Sequence, residues 1–325
     1  MKSPHRAPLF LVLASLLFPF GCSAQTSSML PGTMVLASHP TFVRLSRRGW
    51  VLPQAAEQKL LYVSDDIGVE IYKFGKQLKQ VGELTDQLDA SGRLWVDKNR
   101  NVYVVNDPAF ADCEVVEFPP GKTSASTIYQ PCGPSGCNSF PQLEAESVAV
   151  DAGGVVYVGT TAGIYEFEQG NPFAFRVLTD DTSAFGLALD SSGNLYATYT
   201  DDVMKYVPGA ISGTPLRLRG LDSAANLAVA QNDDIVVGES VVEEQTFELF
   251  YKPGQRNAFR ILNALPTGVG QIVFDMQGTL YATNAVRYRI GRVVVNRAGQ
   301  RQWSRLLRSR SLLPGGVAIS PPETL

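Results

Sequence analysis

Histidine is almost missing from this chain. Two occur in 325 residues, His5 and His39, and neither lies beyond residue 39. The remaining sequence therefore has no imidazole to take or give a proton near neutral pH, or to bind a metal. Cysteine is scarce too: after Cys22 there are only Cys113, Cys132 and Cys137. With no histidine nearby, these three argue against zinc. In an oxidising compartment one disulfide is expected, with "CGPSGC" (Cys132 to Cys137) closing a tight loop or Cys113 reaching either partner, and one thiol left over. No run reaches the roughly 18 apolar residues of a membrane span. A phosphate-binding loop, a G-x-S-x-G elbow and a C-x-x-C pair are all absent, so catalysis has no motif behind it. Helical periodicity nearly vanishes after residue 42.

What is present is apolar, turn-rich and close to neutral. Apolar residues make up 45%, the net charge is -3, and 29 Gly with 20 Pro imply many turns. That composition is globular rather than disordered. The first 24 residues read as an export signal, with Lys2 and Arg6 ahead of the apolar run "APLFLVLASLLFPF". Gly21-Cys22 resembles the bacterial lipobox, in which the thiol is lipidated, although Pro19 stands where a branched aliphatic is usual. Ordinary cleavage after Ala24 is the alternative. Residues 25–45 then read as a tether and 46–325 as the folded domain.

Aligned on "ALDSSGNLYAT" (188–198), the chain repeats itself. The matches are "WVDKNRNVYVV" (95–105), "AVDAGGVVYVG" (149–159), "AVAQNDDIVVG" (228–238) and "VFDMQGTLYAT" (273–283). Residues Tyr62, Tyr103, Tyr157, Tyr196, Val236 and Tyr281 fall in phase, at intervals of 41, 54, 39, 40 and 45 residues. Each unit continues through an aromatic-containing strand, a Pro/Gly turn and another strand, as in "GIYEFEQGNPFAFRVLT". Four short strands per unit is the content of one propeller blade. The sixth unit is split, with "LLYVSD" (60–65) giving one part and "GVAIS" (316–320) the other. We therefore expect an all-β, six-bladed propeller of four-stranded antiparallel blades, closed by the C-terminal strand completing blade 1. On the innermost strands, bulky residues such as Leu187 and Leu189 alternate with Ala188, which predicts interdigitation between blades.

Asp97, Asp151, Asp190 and Asp275 share one slot after the innermost strand. Four carboxylates there could gather a cation, but each is explained by a turn in which the side chain bonds its own backbone amides.

The pattern G-x-A-x-D-x-x-G-N-L-Y-A-T at 186–198 resembles the NHL-type β-propeller family. The stretches "RRGWVLPQAAEQKLLYVSD" and "GVAIS" resemble uncharacterised exported bacterial propellers. The resemblance covers roughly residues 60–322 and implies fold more than function. Streptogramin- and peptidyl-hydroxyglycine-type lyases resemble this fold but rely on histidines this chain lacks. Gluconolactonase-like propellers also resemble it, and hold a divalent ion by a glutamate, asparagines and an aspartate. A similar calcium-type oxygen set could come from Glu146, Asn226, Gln271 and Asp65, though that family's local motifs are not evident.

Two surfaces stand out for a partner. The loops at the axial mouth bring Arg93, Glu146, Asn226 and Gln271, with Asp65, Asn106, Asp107 and Asp201 from the loops between second and third strands. Such a mouth suits a small molecule, a glycan or a peptide. Residues Arg287 to Arg310 hold eight arginines and no acid, leaving -3 - 8 = -11 on the rest of the chain. That edge suits an anionic envelope surface. No aromatic platform interleaves the arginines, and nucleic acid is not expected. The reading is an exported, lipid-anchored binding or interaction module, with a calcium-dependent lactonase as the alternative.

Overall fold

A computed structural model of the chain describes residues 48–65, 68–89, 91–106, 114–131, 145–178, 183–241, 245–266, 269–286, 290–297, 302–308 and 315–321. Residues 1–47, where the signal and tether are expected, lie outside them, as do Asp107 and Cys113, Cys132 and Cys137. So do Arg287, Arg289, Arg301 and Arg310.

Six antiparallel sheets follow one another along the chain. Among the described residues there is no α-helix, only a short 3-10 turn at Pro53–Glu57. Blade 2 runs Ser91–Val96, Val102–Asn106, Glu114–Phe118 and Thr127–Tyr129 from the inside outward. The inner strands of the next four blades are Ala145–Val150, Gly186–Leu189, Ala224–Val229 and Val269–Phe274. Blade 1 is completed as expected. Val317–Ser320 pairs with Leu60–Asp65, matching Tyr62 to Ala318 and Leu61 to Ile319. One feature departs from the expectation of four strands: Trp50–Val51 adds a fifth on the outside of blade 1, against Gly82 and Glu83.

The core lies between blades. Leu187 and Leu189 pack with Ala149, Tyr157 and Ile164 of blade 3, while Ala188 and Tyr196 pack with Leu227 and Val229 of blade 5. Inner strands of this kind send a bulky side one way and a small side the other, which lets wedges approach closely near the axis, with Trp95 in blade 2 and Val273 in blade 6 as the exceptions.

The repeated aspartate closes its own turn. Asp190 Oδ1 accepts the amides of Ser192 at 3.0 Å and Asn194 at 2.8 Å, while Oδ2 accepts the Tyr196 hydroxyl at 3.0 Å. Asp275 does the same with Gln277, Thr279 and Tyr281, and Asp151 with Gly153, Val155 and Tyr157. Gly193 sits at φ 79°, the left-handed geometry the turn needs. Burial alone would raise the Asp190 pKa, yet these hydrogen bonds outweigh it and hold the carboxyl below its ordinary value. The blade with Ala230 in the slot also has Val236 for the tyrosine, so both halves of the clamp are missing there together.

Candidate functional site at the axial mouth

The inner strands enter the ring at one face, and four of their ladders are irregular there. The register skips Gly92 and Arg93 in blade 2, Glu146 in blade 3, Ala225 in blade 5, and Gly270 and Gln271 in blade 6. A bulge leaves backbone groups unpaired and re-aims side chains, here toward the axis.

Arg93 crosses that axis. Its Nε donates to the Gly270 carbonyl at 3.2 Å, and its Nη2 donates to the Ala225 carbonyl at 3.2 Å on the opposite blade. Burial depresses the guanidinium pKa, and the nearby Glu146 carboxylate opposes that shift. Glu146 is itself buried. Gln271 acts as a substitute peptide unit. Its Oε1 accepts the amides of Leu94 at 2.9 Å and Val317 at 3.0 Å, and its Nε2 donates to the Leu94 carbonyl at 2.7 Å. Asn226 donates from Nδ2 to the Val269 carbonyl at 2.8 Å, but its buried Oδ1 has no partner. Gly316 is packed so tightly that a Cβ there would lie 2.5 Å from the Gly92 carbonyl oxygen.

The structure therefore brings Arg93, Glu146, Asn226 and Gln271 together, with the guanidinium among them. The other mouth candidates stand further out. Asn106 lies one strand outward, where it accepts the Asp89 amide at 2.8 Å and donates to the Gln87 carbonyl at 3.0 Å and to Glu114 at 3.1 Å. Asp65 is buried at the end of the second strand of blade 1, and Asp201 is exposed in the loop before Val203. Among the described residues no group of three or more His, Cys, Asp or Glu is arranged to hold a metal ion.

Below the mouth, a narrow apolar channel continues down the axis between Leu94, Leu187, Leu227, Ile272 and Ile319. Trp95 enters it where the other blades carry Ala149, Ala188, Ala228, Val273 and Ala318, and its buried Nε1 has no partner.

Sequence reading missed one unusual group. Glu248, on the third strand of blade 5, is fully buried with neither oxygen paired. Burial raises its pKa to about 8, and the nearby Trp303 indole opposes that shift.

Compared with known sequences, the chain matches no family profile and no curated protein. Its likeness is to solved structures. A chain of a nidogen/laminin complex is similar with a TM-score of 0.64 and 14% identity, over 82% of this chain and 100% of that one. A Bacteroides caccae protein of unknown function matches at 0.57 and 12%, over 81% and 98%. The Pseudomonas aeruginosa periplasmic gluconolactonase matches at 0.56 and 15%, over 83% and 87%. At these identities the likeness is one of fold.

Proposed function

We propose that this protein is an exported, lipid-anchored β-propeller that acts as a ligand-binding or protein-interaction module. One observation carries the reading. The polar side chains that converge on the axis are bonded to the ring itself, Arg93 and Gln271 tying the inner strands of blades 1, 2, 5 and 6 to one another. Groups engaged in this way rigidify a scaffold rather than wait for a substrate, and loops on a rigid scaffold are where recognition is built. In that arrangement the exposed Asp201 faces a partner at the rim of the mouth.

A photo-crosslinker placed at Asp201 should capture one envelope component in cells, and the mature N-terminus should carry a fatty-acylated Cys22. A mature terminus at Gln25 would refute the anchor.

The second reading, a calcium-dependent lactonase, is favoured by the buried, unpartnered Asn226 Oδ1 and by the fold shared with a gluconolactonase. Purified chain incubated with gluconolactone separates the two. The module reading expects no turnover with or without calcium and a melting temperature indifferent to the ion. Chelator-sensitive hydrolysis, or a calcium-dependent rise in melting temperature, would establish the enzyme instead.

A further inference from the structure

The seam between blades 5 and 6 holds a carboxyl and a guanidinium that face the same way and do not meet. Glu248 lies on the same side of its strand as Phe250, which packs with Leu280 and Val294 of blade 6. Its carboxyl is sealed there with both oxygens unbonded, beside the Trp303 indole, whose buried Nε1 also has no acceptor. Trp303 immediately precedes the outer strand of blade 6, Ser304–Arg308, and packs against the same cluster. Arg260 crosses the seam instead. Its Nη2 donates to Asn296 Oδ1 at 3.0 Å, and Asn296 Nδ2 donates in turn to the Gln302 carbonyl at 3.0 Å, next to Trp303. Contacts therefore run from Arg260 through Asn296 and Gln302 to Trp303 and back to Glu248.

Glu248 pairs with Leu262, and Phe250 with Arg260. Carboxyl and guanidinium are thus diagonal neighbours on one face of a ladder, a separation that a long side chain can span. The Arg260 guanidinium lies 4.8 Å over the Phe250 ring, and burial lowers its pKa. Two other cations belong to this seam. Arg305 shares the face of Val294 on the outer strand of blade 6 and is exposed, and Arg292 has the same face by register on the third strand. The inner and second strands bring uncharged residues, among them Asn226, Ala228, Val236 and Ala282. A protonated Glu248 is neutral and can stay sealed. A carboxylate cut off from water must find a cation or a path to solvent, and Arg260 is the cation on its own ladder. We infer that the seam is a pH-operated latch. While Glu248 keeps its proton, Arg260 holds Asn296 across the seam. When that proton passes to solvent, Arg260 turns back to the Glu248 carboxylate, releasing Asn296, Gln302 and Trp303, and the outer part of blade 6 loosens. Burial sets the changeover near pH 8, so the latch is shut on the acid side and open on the alkaline side. It acts at the edge of the disc and is independent of what the mouth binds.

Trp303 reports the latch. With Trp50→Phe and Trp95→Phe it becomes the only tryptophan, and its emission should shift to the red between about pH 6 and about pH 9. The shift should reverse on acidification, with the far-ultraviolet dichroism unchanged throughout. Glu248→Gln, which keeps the shape and cannot ionise, should abolish it. Arg260→Gln should move its midpoint up by about one pH unit, because the carboxylate has lost its cation; lost packing alone would leave the midpoint in place. Amide hydrogen exchange on the unsubstituted protein decides the matter where a variant fails to fold. Corrected for the intrinsic rate, protection in Ile290–Asn296 and Ser304–Arg308 should drop by about tenfold or more across that window, while blades 2 and 3 keep theirs. Constant emission with constant protection overturns the inference, and so does a transition that persists in Glu248→Gln. A midpoint unmoved by Arg260→Gln overturns the exchange of partners on which the latch depends.

Discussion

Glu248 occupies a slot that the other five blades fill with Val69, Val115, Ile164, Val203 and Val293, all of them fully buried. A carboxyl there has lost its water without gaining a hydrogen-bond partner, which costs about 1–3 kcal/mol. Glu248→Val should accordingly stabilise the fold by about that amount at neutral pH. The pH dependence has a definite sign. Burial raises the folded-state pKa from 4.5 to about 8, so the native protein keeps a proton that the unfolded chain releases. Stability is then fully present below pH 4.5, declines as pH climbs toward about 8, and levels off above it. Melting temperatures of parent and variant should diverge across that window; parallel curves would contradict the assignment. The stretch "FELFY" gave no warning of this, because alternation alone does not say which side faces inward. Setting the third strands of all six blades in register would have exposed the odd residue. Arg93, Glu146 and Gln271 were legible as polar residues at the mouth, but their bonding was not. It depends on bulges at those very positions, and a bulge in an inner strand leaves no compositional mark.

Among elements, the inner strand is where local pattern and ring geometry meet. Leu189 is buried between blades 3 and 4, in the cluster with Ala149 and Tyr157. Leu189→Ala should cost about 2–5 kcal/mol, because a cavity beside rigid neighbouring blades cannot collapse. Denaturant unfolding measures this directly, and an unchanged midpoint would remove the residue from the core. The large and small alternation that places Leu189 was readable from sequence, since a period-two pattern on a strand survives without any knowledge of its partners. The aspartate turn was readable as well. The partner of its second oxygen was not: the in-phase tyrosines mark the repeat, yet nothing local says that Tyr196 reaches back to Asp190. The outermost strand of blade 1 was illegible for a different reason. Trp50–Val51 is only two residues long and takes its extended shape from Gly82 and Glu83 across the ladder.

At the scale of the whole molecule, the ring stands or falls on one non-covalent seam. Val317 and Ile319 are buried against Leu61 and Val63 of blade 1 and against Tyr281 and Val293 of blade 6, so one short strand fills the gap between the first and last blades. Gln271 and Ser64 reinforce it, the first through the Val317 amide and the second through the Gly316 amide. This closure was readable because each half of the split unit matched the repeat and because an open ring would leave unpaired strand edges. Removing residues 315–325 should have consequences no point substitution has. The strand Leu60–Asp65 would lose its inner neighbour, blade 6 would lose its packing partner, and Gln271 would lose one of its two amide donors. We expect the truncated chain to melt without a sharp cooperative transition and to associate through the exposed edge, as read by calorimetry and size-exclusion chromatography. Adding a peptide of residues 315–325 should restore the transition in a concentration-dependent way, because a strand that binds only the folded ring stabilises it by mass action. A truncated chain that stays monomeric with the parent's melting temperature would show that the last strand ornaments the ring rather than closing it.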